Sequence, residues 1–103
     1  MIYIKVHSTE NGDMVAMCDS KLIGKILREG EIEINIKDYS EFYKGVLVDS
    51  ERAANMLDPK RVYSANIIGK ESVDAAIKAG IVHDDGVKMV SKIPYAHTFQ
   101  IKY

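Results

Sequence analysis

Apolar and polar residues alternate over residues 2–7 with the two-residue period of a half-buried β-strand. Asn11-Gly12 follows, and because both residues tolerate positive φ, residues 14–18 are predicted to return antiparallel as the second arm of a hairpin. With these two residues as the loop, Val6 pairs with Met17. The side chains that then face the core are Ile2, Ile4, Val6, Val15 and Met17, whereas His7 and Cys18 face the other way.

The next apolar residues recur at helical spacing, which predicts a helix that begins at Asp19 or Ser20 and runs to about Glu29. Either of the first two residues can cap the helix N-terminus, and Gly30 is typical of a helix end. The predicted apolar stripe consists of Leu22, Ile23, Ile26 and Leu27. Residues 31–37 alternate strictly and predict a strand that carries three isoleucines on one face.

The rest of the chain predicts short elements of both kinds. They are an irregular aromatic connector over residues 38–44, strands over 45–48, 64–68, 87–90 and 95–101, and helices over 49–57 and 71–79. A turn at His83-Asp84-Asp85-Gly86 precedes the last two strands. Together these elements predict a small α+β two-layer sandwich in one domain over residues 1–103. It has an N-terminal β-hairpin, a mostly antiparallel or mixed sheet of about six short strands, and about three helices.

Composition and charge narrow the class of protein. The 103 residues suffice for one core, and 47% apolar with 28% charged residues is typical of a globular protein. A net charge of -1 provides no overall attraction to nucleic acid or membrane, although local patches remain compatible with it. Cys18 is the only cysteine, which excludes an intramolecular disulfide and favours a reducing compartment.

Two further absences affect the predicted class. No segment approaches the ~20 apolar residues of a membrane helix, and the alternating N-terminus is unlike a signal peptide, so we expect a cytoplasmic protein. The motifs of common cofactor and enzyme sites are also missing, namely GxGxxG, GxxxxGK[ST], HExxH, CxxC and GxSxG. No cofactor and no metal site is predicted.

The predicted last strand carries the first candidate site. Tyr95, His97, Phe99 and Ile101 share one face, and Pro94 precedes them. One interpretation is a stacking platform for bases, or a pocket wall where His97 transfers protons. The alternative is a core-facing aromatic stripe with a hydrogen-bonded histidine.

Three other features have both a functional and a structural interpretation. Asn66 interrupts an apolar strand, so its amide either braces the connector or contacts a ligand. Cys18 precedes the predicted helix N-terminus, which lowers a thiol pKa, but Asp19 opposes that effect, and the cysteine is either a nucleophile or structural. His83 with its two neighbouring aspartates forms either a metal site or a solvated turn.

A basic face is predicted on the helix over residues 19–29. Lys21, Lys25 and Arg28 recur at helical spacing around Gly24, whose missing side chain would allow close approach of a phosphate backbone or a partner chain. The alternative is a solvated helix face with a tolerated glycine. The candidate binding residues are therefore Lys21, Gly24, Lys25, Arg28, Pro94, Tyr95 and His97.

Four stretches of the chain, taken in order, resemble one family. They are LIGKILREG over residues 22–30, FYKG over 42–45, ANIIG over 65–69 and IPYAH over 93–97. In this combination the chain resembles the archaeal family known as domain of unknown function 424. The resemblance implies an archaeal source and a small α+β sandwich, and it implies no activity. After the proline, the family pattern is closer to His, Ala, Gln, whereas this chain has Tyr95, Ala96 and His97. The imidazole ring therefore lies two residues later here, on the same strand face.

Three functions fit these features. The leading expectation is a non-enzymatic binding or adaptor module whose partner is RNA or a protein of the translation machinery. The second is a small enzyme with a His97-centred acid/base site, with Tyr95, Asn66 or Cys18 nearby. The third is a homodimer whose interface covers the aromatic stripe.

Overall fold

The computed structural model describes residues 1–99, which form eight strands and three α-helices. The strands are β1 (Ile2–Thr9), β2 (Gly12–Asp19), β3 (Ile26–Glu29), β4 (Ile32–Asn35), β5 (Val46–Val48), β6 (Val62–Ile68), β7 (Lys88–Val90) and β8 (Ile93–Phe99). The helices are α1 (Ser40–Tyr43), α2 (Ser50–Asn55) and α3 (Lys70–Lys78). The predicted α+β class with an N-terminal hairpin is confirmed.

Six of the strands form one mixed sheet in the order β5-β1-β2-β6-β8-β7, and β3 pairs with β4 as a separate hairpin. In the large sheet β2 and β6 run parallel, and every other neighbouring pair is antiparallel. Parallel strands need a crossover connection, and the chain between β2 and β6 provides it. The sheet therefore has two faces, and each carries its own hydrophobic cluster.

Helices α2 and α3 pack on the first face of the sheet and contribute to the larger hydrophobic cluster. Its central side chains have at most 1% of their surface exposed, and they include Ile2, Ile4, Met17 and Ile67. Burying one such side chain contributes about 1.5–3 kcal/mol to folding. This face therefore carries the larger of the two buried clusters.

Helix α3 is capped by a side chain from a distant strand. The Asp19 carboxylate, 1% exposed, accepts hydrogen bonds from the Ser72 amide and hydroxyl at 2.8 Å each and from the Glu71 amide at 3.2 Å. Gly69 precedes the helix with φ +109°, and a Cβ there would collide with the Asp19 carboxyl group. Only glycine therefore allows β2 to approach the start of α3 this closely.

The β3–β4 hairpin and α1 pack on the second face of the sheet and cover part of it. Leu22, Leu27 and Tyr43 are buried there against Cys18 and Ile68. Ser91, in the turn between β7 and β8, donates two hydrogen bonds to the hairpin. Its amide donates to Glu29 Oε1 at 2.8 Å, and its hydroxyl donates to the Arg28 carbonyl oxygen.

The predicted helix over residues 19–29 is wrong. Residues Ser20–Leu22 form one 3-10 turn, Gly24 follows at φ +87°, and the chain continues as β3. Gly30 is a loop residue of the β3–β4 hairpin at φ +59°, not a helix stop. The helical spacing of the apolar residues was satisfied instead by a turn and a strand that bury Leu22 and Leu27 against the second face.

The predicted register of the first hairpin is shifted by two residues. Glu10 and Asn11 form the loop, so Val6 pairs with Val15 and not with Met17. Gly12 belongs to β2, where a Cβ would lie 2.9 Å from the Arg61 carbonyl oxygen. Because the shift is even, the side chains keep their predicted faces, but Val6, which was predicted to face the core, is 42% exposed.

Other predicted boundaries differ by a few residues. The connector over residues 38–44 contains α1, and β8 begins at Ile93, before Pro94. The turn after His83 is a 3-10 turn over Asp84–Gly86. The predicted extension of the last strand to Ile101 lies outside the described residues. Within residues 1–99 no helix is long and apolar enough to cross a membrane.

Candidate functional site

Among residues 1–99, the second face of the sheet is covered at one end and open at the other. Strand β7 pairs with β8 only over Ile93–Tyr95, and the β3–β4 hairpin packs near the same end. Tyr95 is half-buried against the second cluster, His97 is exposed, and Phe99 has 59% of its surface exposed. Of the two interpretations of this stripe, burial holds for Tyr95 and exposure holds for His97 and Phe99.

A second aromatic ring extends the open end. The Tyr63 ring packs edge-on against Phe99 with the centroids 4.8 Å apart and an interplanar angle of 62°. The β2–β6 pairing shifts register between Asp13 and Met14, beside the segment that carries Tyr63. We call Tyr63, Tyr95, His97 and Phe99 the aromatic surface. Tyr63 was missed from the sequence because it directly precedes the predicted strand over residues 64–68.

A cleft of about 170 Å³ opens beside the aromatic surface. Asn66 pairs with His97 across β6 and β8, which places their side chains on the same face. We call this space the Asn66 cleft. Its lining residues are Ile34, Tyr43, Asn66, Ile67, Ile68, Tyr95, Ala96 and His97.

The polar side chains of the cleft have no hydrogen-bond partner among the described residues. Tyr43, Asn66, Tyr95 and His97 form no side-chain hydrogen bond within residues 1–99. Over the same residues, every fully buried side-chain nitrogen or oxygen does have a partner, so the polar ends of these four reach solvent. The amide of Asn66 thus does not brace the connector by a hydrogen bond. The cleft presents hydrogen-bonding capacity that is free for a ligand.

Burial keeps two nearby groups neutral. Burial, and to a lesser degree the neighbouring Cys18, raises the pKa of Tyr43 to about 12. Burial and then the charge of Asp19 raise the pKa of the Cys18 thiol to about 12, and the sulfur donates weakly to the Asp19 carbonyl oxygen at 3.4 Å. The Cys18 side chain is fully buried, which favours the structural interpretation over the nucleophilic one.

His7 does not approach Cys18. It pairs with Met14 along the hairpin, whereas Cys18 pairs with Tyr3. The His7 ring stacks on Phe42 with centroids 5.1 Å apart, and its Nε2 lies 3.4 Å from the Phe42 carbonyl oxygen. Its role here is to hold α1 on the sheet, which also positions Tyr43 in the Asn66 cleft.

The predicted basic helix face does not exist, because its helix is absent. Lys21 lies in the 3-10 turn, Lys25 follows the turn at Gly24, and Arg28 lies in β3. The guanidinium of Arg28 pairs with Glu33 across the hairpin, with Nε 3.4 Å from Oε2. The four residues therefore do not share the regular spacing on which the anion-binding interpretation rested.

Two other regions, a depression beside α2 and the turn at His83, are weaker candidates for a functional site. A wider depression of about 460 Å³ beside α2 is lined by side chains of that helix and its cap, and Asp49 already accepts a hydrogen bond from the Arg52 amide at 2.8 Å. His83 is exposed in its turn. Among residues 1–99 no three metal-ligating side chains converge. The Asn66 cleft and the aromatic surface are the best-supported candidate site.

Comparisons with known proteins agree with this architecture. The model of the family described as protein of unknown function (DUF424) matches residues 6–101, so this chain belongs to that family. The crystal structure of an uncharacterized conserved protein from Methanopyrus kandleri has a TM-score of 0.79 and 20% sequence identity, over 95% of this chain and 90% of that chain. At that identity the likeness establishes the fold alone. No curated protein matches the chain.

Proposed function

We propose that this member of the DUF424 family is a binding module that recognises single-stranded RNA through the aromatic surface and the Asn66 cleft. One observation carries the proposal: on the open half of one sheet face, exposed rings adjoin polar side chains that have no hydrogen-bond partner within residues 1–99. Proteins recognise single-stranded RNA by stacking unpaired bases on aromatic side chains and by hydrogen bonds to base edges. Both kinds of contact are available here.

Stacking is expected to supply most of the affinity. Base stacking on an aromatic side chain contributes about 1–3 kcal/mol per base. Among the described residues, Lys88 is a basic residue beside the surface, since it pairs with Tyr95 and faces the same side. With one or two phosphates neutralised, log affinity should fall against log salt with a slope of only about -0.7 to -1.4.

Fluorescence anisotropy with a labelled single-stranded oligoribonucleotide over a salt series tests the proposal. Phe99→Ala should weaken binding by roughly 5- to 150-fold, the equivalent of one lost stacking contact. Tyr39→Ala is the matched control, because Tyr39 is also an exposed ring, at 63%, but does not belong to the aromatic surface. Absence of binding at low salt, or equal loss in both variants, contradicts the proposal.

A second candidate is a small enzyme with an acid/base site at His97. It is favoured by one observation: His97 is exposed and lines the cleft beside Asn66 and Tyr95. With RNA as substrate, His97 would accept the proton of a ribose 2′-hydroxyl as its oxygen attacks phosphorus. The 5′-oxygen would leave with a proton from water, and a 2′,3′-cyclic phosphate would remain. Gel analysis of the oligonucleotide after incubation tests this, with a deoxy oligonucleotide and His97→Ala as controls, and intact RNA rules it out.

A further inference from the structure

We infer that the Asn66 cleft is a pocket for one unstacked nucleobase, bound through its neutral edge and not through phosphate. This inference rests on the proposed function and names the part of the RNA that this cleft takes. It follows from the charge of the lining, the size of the cleft and its distance from Phe99.

The described lining of the cleft favours a neutral ligand over an ionic one. Among the residues of 1–99 that line it, none is an aspartate, glutamate, lysine or arginine. Tyr43 is neutral at physiological pH, and burial raises its pKa further, to about 12. Phosphate and carboxylate groups are normally held by charged donors such as arginine, which this cleft does not offer. A neutral group that both donates and accepts hydrogen bonds matches the Asn66 amide, which carries a donor and an acceptor side by side.

The size of the cleft restricts the ligand to one ring system. Its volume of about 170 Å³ is below the ~300–1,000 Å³ of pockets that enclose drug-sized ligands. Apolar contacts are available from Ile34 and Ile68, and the tyrosines add aromatic ones. A flat group with apolar faces and a polar edge fits this combination, and a nucleobase has that form. Asparagine side chains are known to pair with base edges in this way.

The position of the cleft relative to Phe99 explains why the base must be unstacked. His97 lines the cleft and Phe99 lies two residues further along β8 on the same face. Alternate residues of a strand are ~7 Å apart. Stacked bases are only about 3.4 Å apart. A base in the cleft and its neighbour on Phe99 are therefore separated from one another, as in an extended single strand.

Nuclear magnetic resonance titration of the full chain tests the inference. Adenosine and uridine 5′-monophosphates serve as probes, and ribose 5-phosphate, which lacks a base, serves as the control. We expect both nucleotides to shift the side-chain amide resonances of Asn66 and ribose 5-phosphate to leave them unchanged. Equal shifts with ribose 5-phosphate overturn the inference, because they would show that the cleft binds sugar or phosphate.

Oligonucleotide binding by variants separates this inference from the proposed function. Asn66→Ala and the equally sized Asn66→Asp should both lower RNA affinity about tenfold, since each removes the amide donor. Asn55→Ala, an exposed asparagine on α2, should bind like the wild type. Wild-type binding by both Asn66 variants, with loss in Phe99→Ala, overturns the base pocket and leaves the RNA module standing. Nucleotide shifts at Asn66 without any oligonucleotide binding would instead retain the pocket and overturn the RNA module.

Discussion

The two faces of the six-stranded sheet differ in how much of each is covered. Helices α2 and α3 close the first face over Ile4, Met17 and Ile67. On the second face, the β3–β4 hairpin and α1 bury Cys18 and Ile68, but the open half beside them exposes rings and polar groups. Adjacent residues of one strand illustrate the difference, since Ala96 is buried and His97 is exposed.

This difference separates stability from recognition within single strands. Because alternate side chains of a strand point to opposite faces, β6 contributes Ile67 to the core and Asn66 to the cleft. A substitution on the first face should therefore affect folding, and one on the open half should affect binding. The predictions below test this separation, beginning with the largest expected effect.

Met17→Ala should lower the free energy of unfolding by about 2–5 kcal/mol, because the removed atoms leave a cavity in the larger cluster. Urea denaturation followed by circular dichroism measures the change. RNA affinity of the folded variant should stay at the wild-type value. A loss below ~1 kcal/mol would mean that the first face is not the closed core described above.

Asp19→Ala should lower the free energy of unfolding by about 1.5–3 kcal/mol, because it leaves the Ser72 hydroxyl and the first amides of α3 without their charged acceptor. Asp49→Ala removes the cap of α2 and is the matched control. Its carboxylate is exposed and accepts one hydrogen bond, so about 1 kcal/mol is expected. Equal losses in the two variants, by the same denaturation measurement, would argue against a special role for the buried cap.

Stability should fall as the pH rises above about 9. The pKa of the Cys18 thiol is raised by burial from 9.0 to about 12, and that of Tyr43 from 10.0 to about 12. The unfolded chain releases these protons first, so it is favoured between the two values, and a loss of about 1–2 kcal/mol is expected at pH 10. Denaturation curves across this range measure it. The stability of Cys18→Ala should fall less as the pH rises. An unchanged pH dependence in that variant would show that the Cys18 thiol does not cause the loss.

Phe99→Ala should have the smallest effect on stability, within about 0.5 kcal/mol of the wild type, because the removed ring is mostly exposed. Thermal melts compare the two proteins. The same variant carries the largest expected loss of RNA affinity. A destabilisation of ~2 kcal/mol would make Phe99 part of the packed structure and would weaken its role as a binding residue.

Alternation within single segments correctly predicted which residues share a strand face, and so placed Tyr95, His97 and Phe99 together. It did not predict which of these residues are buried, because the β3–β4 hairpin and the short β7 strand determine how much of that face is covered. The pairing of Asn66 with His97 likewise depends on the register between β6 and β8. Tyr43 reaches the cleft only because α1 folds onto the sheet.

The error over residues 19–29 shows how a local pattern can be satisfied by distant contacts. Asp19 was predicted to cap a helix that starts beside it, but its carboxylate instead accepts hydrogen bonds from the first amides of α3. Gly24 was interpreted as a helix interior residue, yet its φ of +87° is incompatible with a right-handed helix. Tertiary packing of Leu22 and Leu27 outweighed helical spacing, which is a weak signal by itself.

Backbone chemical-shift mapping with a single-stranded oligoribonucleotide tests the central claim most directly. If the open half of the second face binds RNA, the largest shifts will fall on Tyr63, Asn66, His97 and Phe99. Residues of α2 and α3 on the other side of the sheet will shift little. Shifts concentrated on those helices, or none anywhere at low salt, would contradict the assignment of recognition to the open half.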